Sequence, residues 1–285
     1  HTMWGYYQFK LALEVARDIE ENSPDAWLLQ LANPVFELTT LISRETRTKV
    51  IGLCHGHLGY MELSSTLGLN PSDVDFEAIG FNHVIWLTRF EHKGKDAYPM
   101  IDDWIKGKAE RYWKVWREEQ VNPFDLQMSP AAVDMYRTYG LFPVGDTVRG
   151  GTWKYHWDLE TKRRWFGRLA GPDSETGWRI YLEMLKENLD MITSATKDPT
   201  ARLTDVVPPT PSRESVVPII DSLVNDREGI YQVNVLNEGT IGGIPDDVAV
   251  EIPARVDGKG VHRMGVERLP KRILRYVLLP RMMRM

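Results

Sequence analysis

An α/β fold built on a parallel sheet is predicted by three features of the sequence. Residues 9–53 read helix, strand, helix, strand; polar groups sit just beyond both strands; and a second strand-containing section spans residues 217–252. From Phe9 to Ile19, Leu11, Val15 and Ile19 recur at the helical period with Ala12 and Ala16 beside them, leaving Glu14, Arg17 and Asp18 outside. Trp27-Leu28-Leu29-Gln30-Leu31 reads as a buried strand stopped by Asn33-Pro34, because proline lacks a ladder donor and restricts its predecessor. A short helix over Phe36–Ile42 leads to the next buried strand, Lys49-Val50-Ile51-Gly52-Leu53. Met61–Leu67 follows as a helix and Leu69-Asn70-Pro71-Ser72-Asp73 as a turn. Phe76–Leu87 is an apolar segment interrupted by Asn82-His83, a buried polar pair that needs partners. Helices dominate the middle, over Ile101–Trp116, from Pro130 onward and over Thr176–Ile192, with the turn-rich Phe142–Thr147 between them. Proline, threonine and serine mark residues 196–215 as a loop. Val217-Pro218-Ile219-Ile220, Tyr231–Val235 and Val248–Ile252 make up the final strand-containing section.

Composition narrows the function. With 42% apolar and 26% charged residues over 285 positions, the chain is that of a globular protein. A net charge of -5 gives no general attraction to nucleic acid, and no apolar run is long enough for a membrane span or a secretory signal. The single cysteine excludes an intrachain disulfide and suits a reducing, cytoplasmic compartment in which a thiolate stays available for metal binding. Both ends, His1-Thr2-Met3 running at once into a helical pattern and Met285 following no closing element, read as cuts through a larger protein.

Ligands of open α/β sheets bind beyond the carboxyl ends of strands, which is where Asn33 and Cys54-His55 fall. Cys54 is either a thiolate ligand or a small core residue, and His83 either an imidazole ligand or a hydrogen-bonded core histidine. His55 and His57, flanking Gly56, are loop polarity or groups that recognise substrate hydroxyls or a carboxylate. Asn33 either donates to a sugar oxygen or caps the helix at Phe36. Asp146 and Arg149 form a surface ion pair or a base beside a cation that neutralises developing charge. No His-Glu-x-x-His, Gly-x-Ser-x-Gly or Gly-x-Gly-x-x-Gly motif is present, and no carboxylate pair stands out among the 40 acidic residues.

Four ordered segments are more specific than their separate residues. Gln30-Leu31-Ala32-Asn33-Pro34, Gly52-Leu53-Cys54-His55-Gly56-His57, Gly80-Phe81-Asn82-His83-Val84-Ile85-Trp86-Leu87 and Pro143-Val144-Gly145-Asp146-Thr147-Val148-Arg149 together resemble family 4 of the glycoside hydrolases, closest to its α-glucosidase and α-uronidase branches. The likeness extends through Asn234 and Gly243–Val248 to the run 281–285.

The resemblance implies a Rossmann-like parallel-sheet part, ending near residue 75, followed by a mixed α+β, lactate dehydrogenase-like C-terminal domain over 76–285. It implies that the N-terminal dinucleotide-binding segment and the C-terminal end of the family are missing from this chain. It also implies the cofactors NAD and Mn2+, a small sugar glycoside as substrate, and a homo-oligomer, dimer or tetramer. Cys54 and His83 then correspond to metal ligands, Asn33 to a substrate residue near the nicotinamide, Asp146 to the base that removes the C2 proton, and Arg149 to a residue supporting substrate charge. The implied reaction oxidises C3 with NAD, deprotonates C2, eliminates the glycosidic group, adds water and reduces C3 again. His55 stands where phosphoglycosidase branches carry asparagine, so an unphosphorylated α-glucoside is expected ahead of an α-glucuronide or α-galacturonide, whose carboxylate His57 and Arg149 would tolerate. A hydroxy-acid dehydrogenase and a noncatalytic assembly piece are the competing accounts.

Overall fold

The computed structural model describes residues 2–198, 200–207, 209 and 213–283. Helix α1 (Thr2–Asn22) is followed by β1 (Trp27–Gln30), α2 (Val35–Glu45) and β2 (Lys49–Gly52). β1 and β2 pair in parallel from Trp27↔Lys49 to Gln30↔Gly52, as the helix-strand alternation predicts. The crossover helix α2 buries Val35, Phe36, Leu38 and Ile42 on its sheet-facing side.

The chain continues through α3 (Gly59–Thr66), β3 (Val74–Phe81), β4 (Val84–His92), β5 (Lys95–Asp96), α4 (Tyr98–Gly107), α5 (Ala109–Glu119), α6 (Pro130–Tyr139), β6 (Phe142–Val144) and α7 (Thr147–Gly150). It then forms α8 (Leu159–Phe166), α9 (Glu175–Lys197), α10 (Leu203–Val206), α11 (Val216–Asn225), β7 (Gly229–Leu236), β8 (Ala249–Asp257) and β9 (Gly260–Arg263). The strands form one open mixed sheet in the order β1-β2-β7-β8-β3-β4-β5, with β6 on β4 and β9 on β8. Among the described residues every pairing except β1–β2 is antiparallel. The fold is thus α/β with a mixed sheet, and its parallel character is confined to one edge.

Three local expectations change. Val217-Pro218-Ile219-Ile220 lies in helix α11, not a strand: Pro218 falls in the first turn, where a missing N–H costs nothing, and the helix buries Ile219 and Ser222. Ile101–Trp116 is divided between α4 and α5 at Lys108, which caps both. A helical run from Lys271 to Met282, with a π turn at Leu274–Leu278, buries Ile273, Val277 and Leu278 where no closing element was expected. Arg284 and Met285 of the 281–285 run lie outside the described residues. Among the described residues no helix is long and apolar enough to cross a membrane.

The core lies on the face of β3, β4 and β8 where Ile79, Phe81, Trp86, Val250 and Ile252 are fully buried, and Phe36 stacks on Phe81 at 4.4 Å between ring centres. Because this packing fixes the strand ends, the short loops leaving β2, β3 and β6 are held in place.

Candidate functional site

Asn82 and His83 are the two turn residues between β3 and β4, whose register closes with Phe81↔Val84. His83 has a φ of 64°, in the left-handed region that non-glycine residues seldom occupy. The hairpin therefore projects an imidazole from the sheet end at some backbone cost, a feature concentrated at functional positions. Cys54 follows the end of β2 and is half-buried.

Asp146 is brought to His83 by strand addition. β6 pairs with β4 through Ile85↔Val144, and Thr147, fully buried, locks the next turn: its Oγ1 accepts from Ile85 N at 2.7 Å and donates to Ile85 O at 2.9 Å. This clamp leaves Asp146 Oδ2 3.2 Å from His83 Nδ1. Arg149, one helical turn on, grips both oxygens of Asp146 at 3.0 Å through Nε and Nη2, and both oxygens of Asp173 at 2.9 Å through Nη1. Forked pairing of this kind fixes carboxylate orientation as well as charge. The Asp146 and Cys54 loops touch backbone to backbone: a Cβ on Gly145 (φ 59°) would lie 2.5 Å from Gly56 O. Gln127 stitches the same turn, accepting from Gly145 N at 2.8 Å and donating to Pro143 O at 2.7 Å.

Charge states follow from these neighbours. Burial alone would raise Asp146, but Arg149 and His83 outweigh it and hold the carboxyl below its ordinary range. Burial pushes His83 below its usual value, with Arg149 adding to the effect and Asp146 only partly opposing it, so the ring is neutral and has a free lone pair at neutral pH. Burial, reinforced by Glu251, lifts the Cys54 thiol to about 11, against hydrogen bonds from Asn82 and the Gly56 backbone. Burial also lowers His57 to about 4, and its Nδ1 has no partner among the described residues.

Cys54, His83, Asp146 and Arg149 thus share one neighbourhood: Asp146 acts electrostatically on Cys54, touches His83 and is clamped by Arg149. His55 is exposed on the Cys54 loop, where its Nδ1 meets Glu214 Oε1 at 2.7 Å. His57 turns inward beside Phe76. Asn33 is exposed beyond β1; Pro34, not Asn33, occupies the N-cap of α2, and it makes no side-chain cap. Sequence reading missed the partners that come from afar: Asp173 on Arg149, Glu214 on His55, and Glu251 beneath Asn82. Of these only Glu251 carries a local signal, as a carboxylate inside the apolar run Val248–Ile252.

Residues 1–69 match the family model described as Family 4 glycosyl hydrolase, and residues 78–285 match the model described as Family 4 glycosyl hydrolase C-terminal domain. The expectation that the family's N-terminal part is missing from the chain is overturned by the match over residues 1–69. An alpha-galactosidase of Bacillus subtilis is 24% identical over 262 residues, covering 91% of this chain and 56% of its own length. Among solved structures, the Bacillus subtilis protein lplD, provisionally assigned as a glucosidase, superposes with a TM-score of 0.72 at 23% identity, covering 95% of this chain and 62% of that one. A 6-phospho-alpha-glucosidase from gut microorganisms, solved in complex with NAD and Mn2+, gives 0.65 at 20% identity over 93% of this chain and 59% of its own. This chain therefore spans less than two thirds of the length of each of these relatives. With both models together covering the sheet and the loops that it carries, the chain belongs to family 4 of the glycosyl hydrolases.

Proposed function

We propose that this protein is an NAD- and Mn2+-dependent glycosidase acting on unphosphorylated α-glycosides, an α-glucoside first. The observation that carries the reading is the meeting of a neutral imidazole and an ionised carboxylate at 3.2 Å, on the loop ends that also bring up the one cysteine. Family membership and the NAD and Mn2+ bound to the gut-microbial relative support the cofactors.

The residues fit a soft-to-borderline cation with an open shell. Cys54 and His83 would hold it, and two protein ligands would leave positions for water or sugar oxygens. The proton that burial keeps on Cys54 would be displaced on binding. For the dinucleotide, the exposed residues Leu31, Ala32 and Asn33 beyond the parallel β1–β2 edge would meet its nicotinamide end. When bound, the dinucleotide supplies reversible oxidation at C3 and the cation supplies positive charge at the sugar oxygens. Asp146 takes the proton from C2, acidified by the neighbouring carbonyl. Arg149 keeps that carboxylate ionised and aimed, and His55, His57 and Asn33 contact sugar hydroxyls.

A neutral sugar is favoured because the nearby donors are already engaged: His55 by Glu214, and Arg149 by Asp146 and Asp173. A phosphate or carboxylate would have to displace these partners. The test is a panel of neutral, phosphorylated and uronic α-glycosides with NAD and Mn2+, reading released sugar, NADH and loss of C2 deuterium. Sugar release with C2 exchange and no net NADH is expected on the neutral substrates. NADH accumulating with a carbonyl product would identify a dehydrogenase, and release from uronides alone would move the assignment to the uronidase branch.

The contact between His83 and Asp146 also supports a competing reading of Asp146, as the carboxylate that orients a metal-bound imidazole in place of the base. Replacing the sulfur tests the ligand set itself: Cys54→Ser is expected to weaken Mn2+ binding by more than about 10-fold, the lower end for loss of even an outer-shell partner. Unchanged affinity by isothermal titration would return Cys54 to a packing role.

A further inference from the structure

One lateral row crosses four strands of the sheet. Gly52 of β2 is paired with Asn234 of β7, Asn234 with Glu251 of β8, and Glu251 with Gly80 of β3. The two outer members lie two residues before Cys54 and three before His83, so Asn234 and Glu251 form the floor between the two loops. A Cβ on Gly52 would lie 2.9 Å from the Asn234 Cβ, which shows how closely that floor meets the Cys54 strand.

Glu251 is only 1% exposed. Its Oε2 accepts from Asn82 Nδ2 at 2.9 Å, and the Asn82 amide stands near enough to the Cys54 side chain to act on it. The two amide hydrogens of Asn82 can thus serve Glu251 and Cys54 together, while its backbone carries straight on into His83. On the other side Asn234 Nδ2 donates to Gly52 O at 3.3 Å. Glu251 Oε1 and Asn234 Oδ1 face the same interior with no hydrogen-bond partner among the described residues, although Asn234 and Gln232 stand near enough to act on the carboxyl. A buried carboxyl kept in a strand of Val, Ile and Ala is costly unless its orientation matters.

We propose that Glu251 is a positioning residue: acting through Asn82, it holds the Cys54 loop and the His83 turn at the spacing that one divalent cation requires. The inference rests on the metal reading above and concerns what builds that pair, not the pair itself. Glutamine at 251 keeps an acceptor for Asn82 and gains a donor for Asn234 Oδ1, whereas methionine fills a similar volume and supplies neither.

The experiment is Co2+ titration of the whole chain, following the sulfur-to-cobalt charge-transfer band, with Mn2+ competition and near-ultraviolet circular dichroism as the check on packing. Glu251→Met and Asn82→Ala are each expected to lower Co2+ affinity by about 10-fold to 100-fold and to shift or weaken the sulfur band, while Glu251→Gln stays within about threefold of the parent. Asn82→Ala removes the link without altering the sheet floor, so it decides the matter if Glu251→Met does not fold. A folded Glu251→Met or Asn82→Ala protein with unchanged affinity and band overturns the proposal alone, as does Glu251→Gln failing as badly as Glu251→Met. A parent chain with no sulfur band overturns the metal reading and this inference together.

Discussion

Asp146→Asn is expected to lower exchange of the substrate C2 hydrogen by about 100-fold to 10,000-fold, the range for removing a general base, while Mn2+ affinity changes by less than about threefold. The amide fills the same space and can still meet His83, but it cannot accept a proton at carbon. The magnitude is set by an unusual base. Arg149 and His83 outweigh burial and depress the Asp146 carboxyl, so it is weakly basic and suited only to a hydrogen that the C3 carbonyl has already acidified. The pH consequence has a definite sign. A depressed carboxyl is ionised throughout the neutral range, so the acid limb of C2 exchange should lie below the ordinary aspartate value of 3.8. Its stabilising contribution is present above the unfolded value and lost as pH falls through the folded one, so Asp146→Asn should be less stable than the parent at pH 7 and converge with it in acid. Measured exchange and urea midpoints across pH check both. If metal affinity collapses together with exchange, Asp146 orients His83 and is not the base.

The periodic part of the fold was legible in the sequence because burial on one face leaves a local trace. The α1, β1, α2, β2 order and the placement of Asn33 and Cys54 beyond strand ends needed only helical spacing, apolar runs and proline stops. What misled was chemistry shared between states: Val217–Ile220 is rich in β-branched residues, yet Pro218 sits where a helix begins. Asn82-His83 read as an interruption in one apolar run because nothing local announces that the chain reverses there, and His83 adopts the left-handed turn conformation without being glycine. The parallel β1–β2 edge was foreseeable, but the antiparallel insertion of β7 and β8 between β2 and β3 joins residues about 180 positions apart, a separation that no periodicity encodes. Within the candidate site, residue types were readable and their partners were not. Asp146 and Arg149 are a turn apart, whereas Asp173, Glu214 and Glu251 come from distant segments.

Gly145→Ala should be among the most damaging substitutions that change no functional side chain. Gly145 has a φ of 59°, and an added Cβ would meet Gly56 O at 2.5 Å, Gly56 Cα at 2.8 Å and Gly56 C at 2.9 Å, all of them backbone. The left-handed conformation costs an L-residue about 1–2 kcal/mol. Overpacking adds about 1–3 kcal/mol, since no flexible side-chain end can swing aside. Gly140 separates the two contributions: it closes α6 at a φ of 86° with nothing within 4 Å of its would-be Cβ, so Gly140→Ala should show the conformational cost alone. The strain at 145 must be relieved by parting two loops, one carrying Asp146 and the other Cys54. Gly145→Ala should therefore lose Mn2+ affinity as well as stability, whereas Gly140→Ala loses stability only. Denaturant midpoints and metal titrations on the pair measure this, and equal metal affinity in the two variants would mean that the contact between Gly56 and Gly145 packs the loops without setting the geometry of the site.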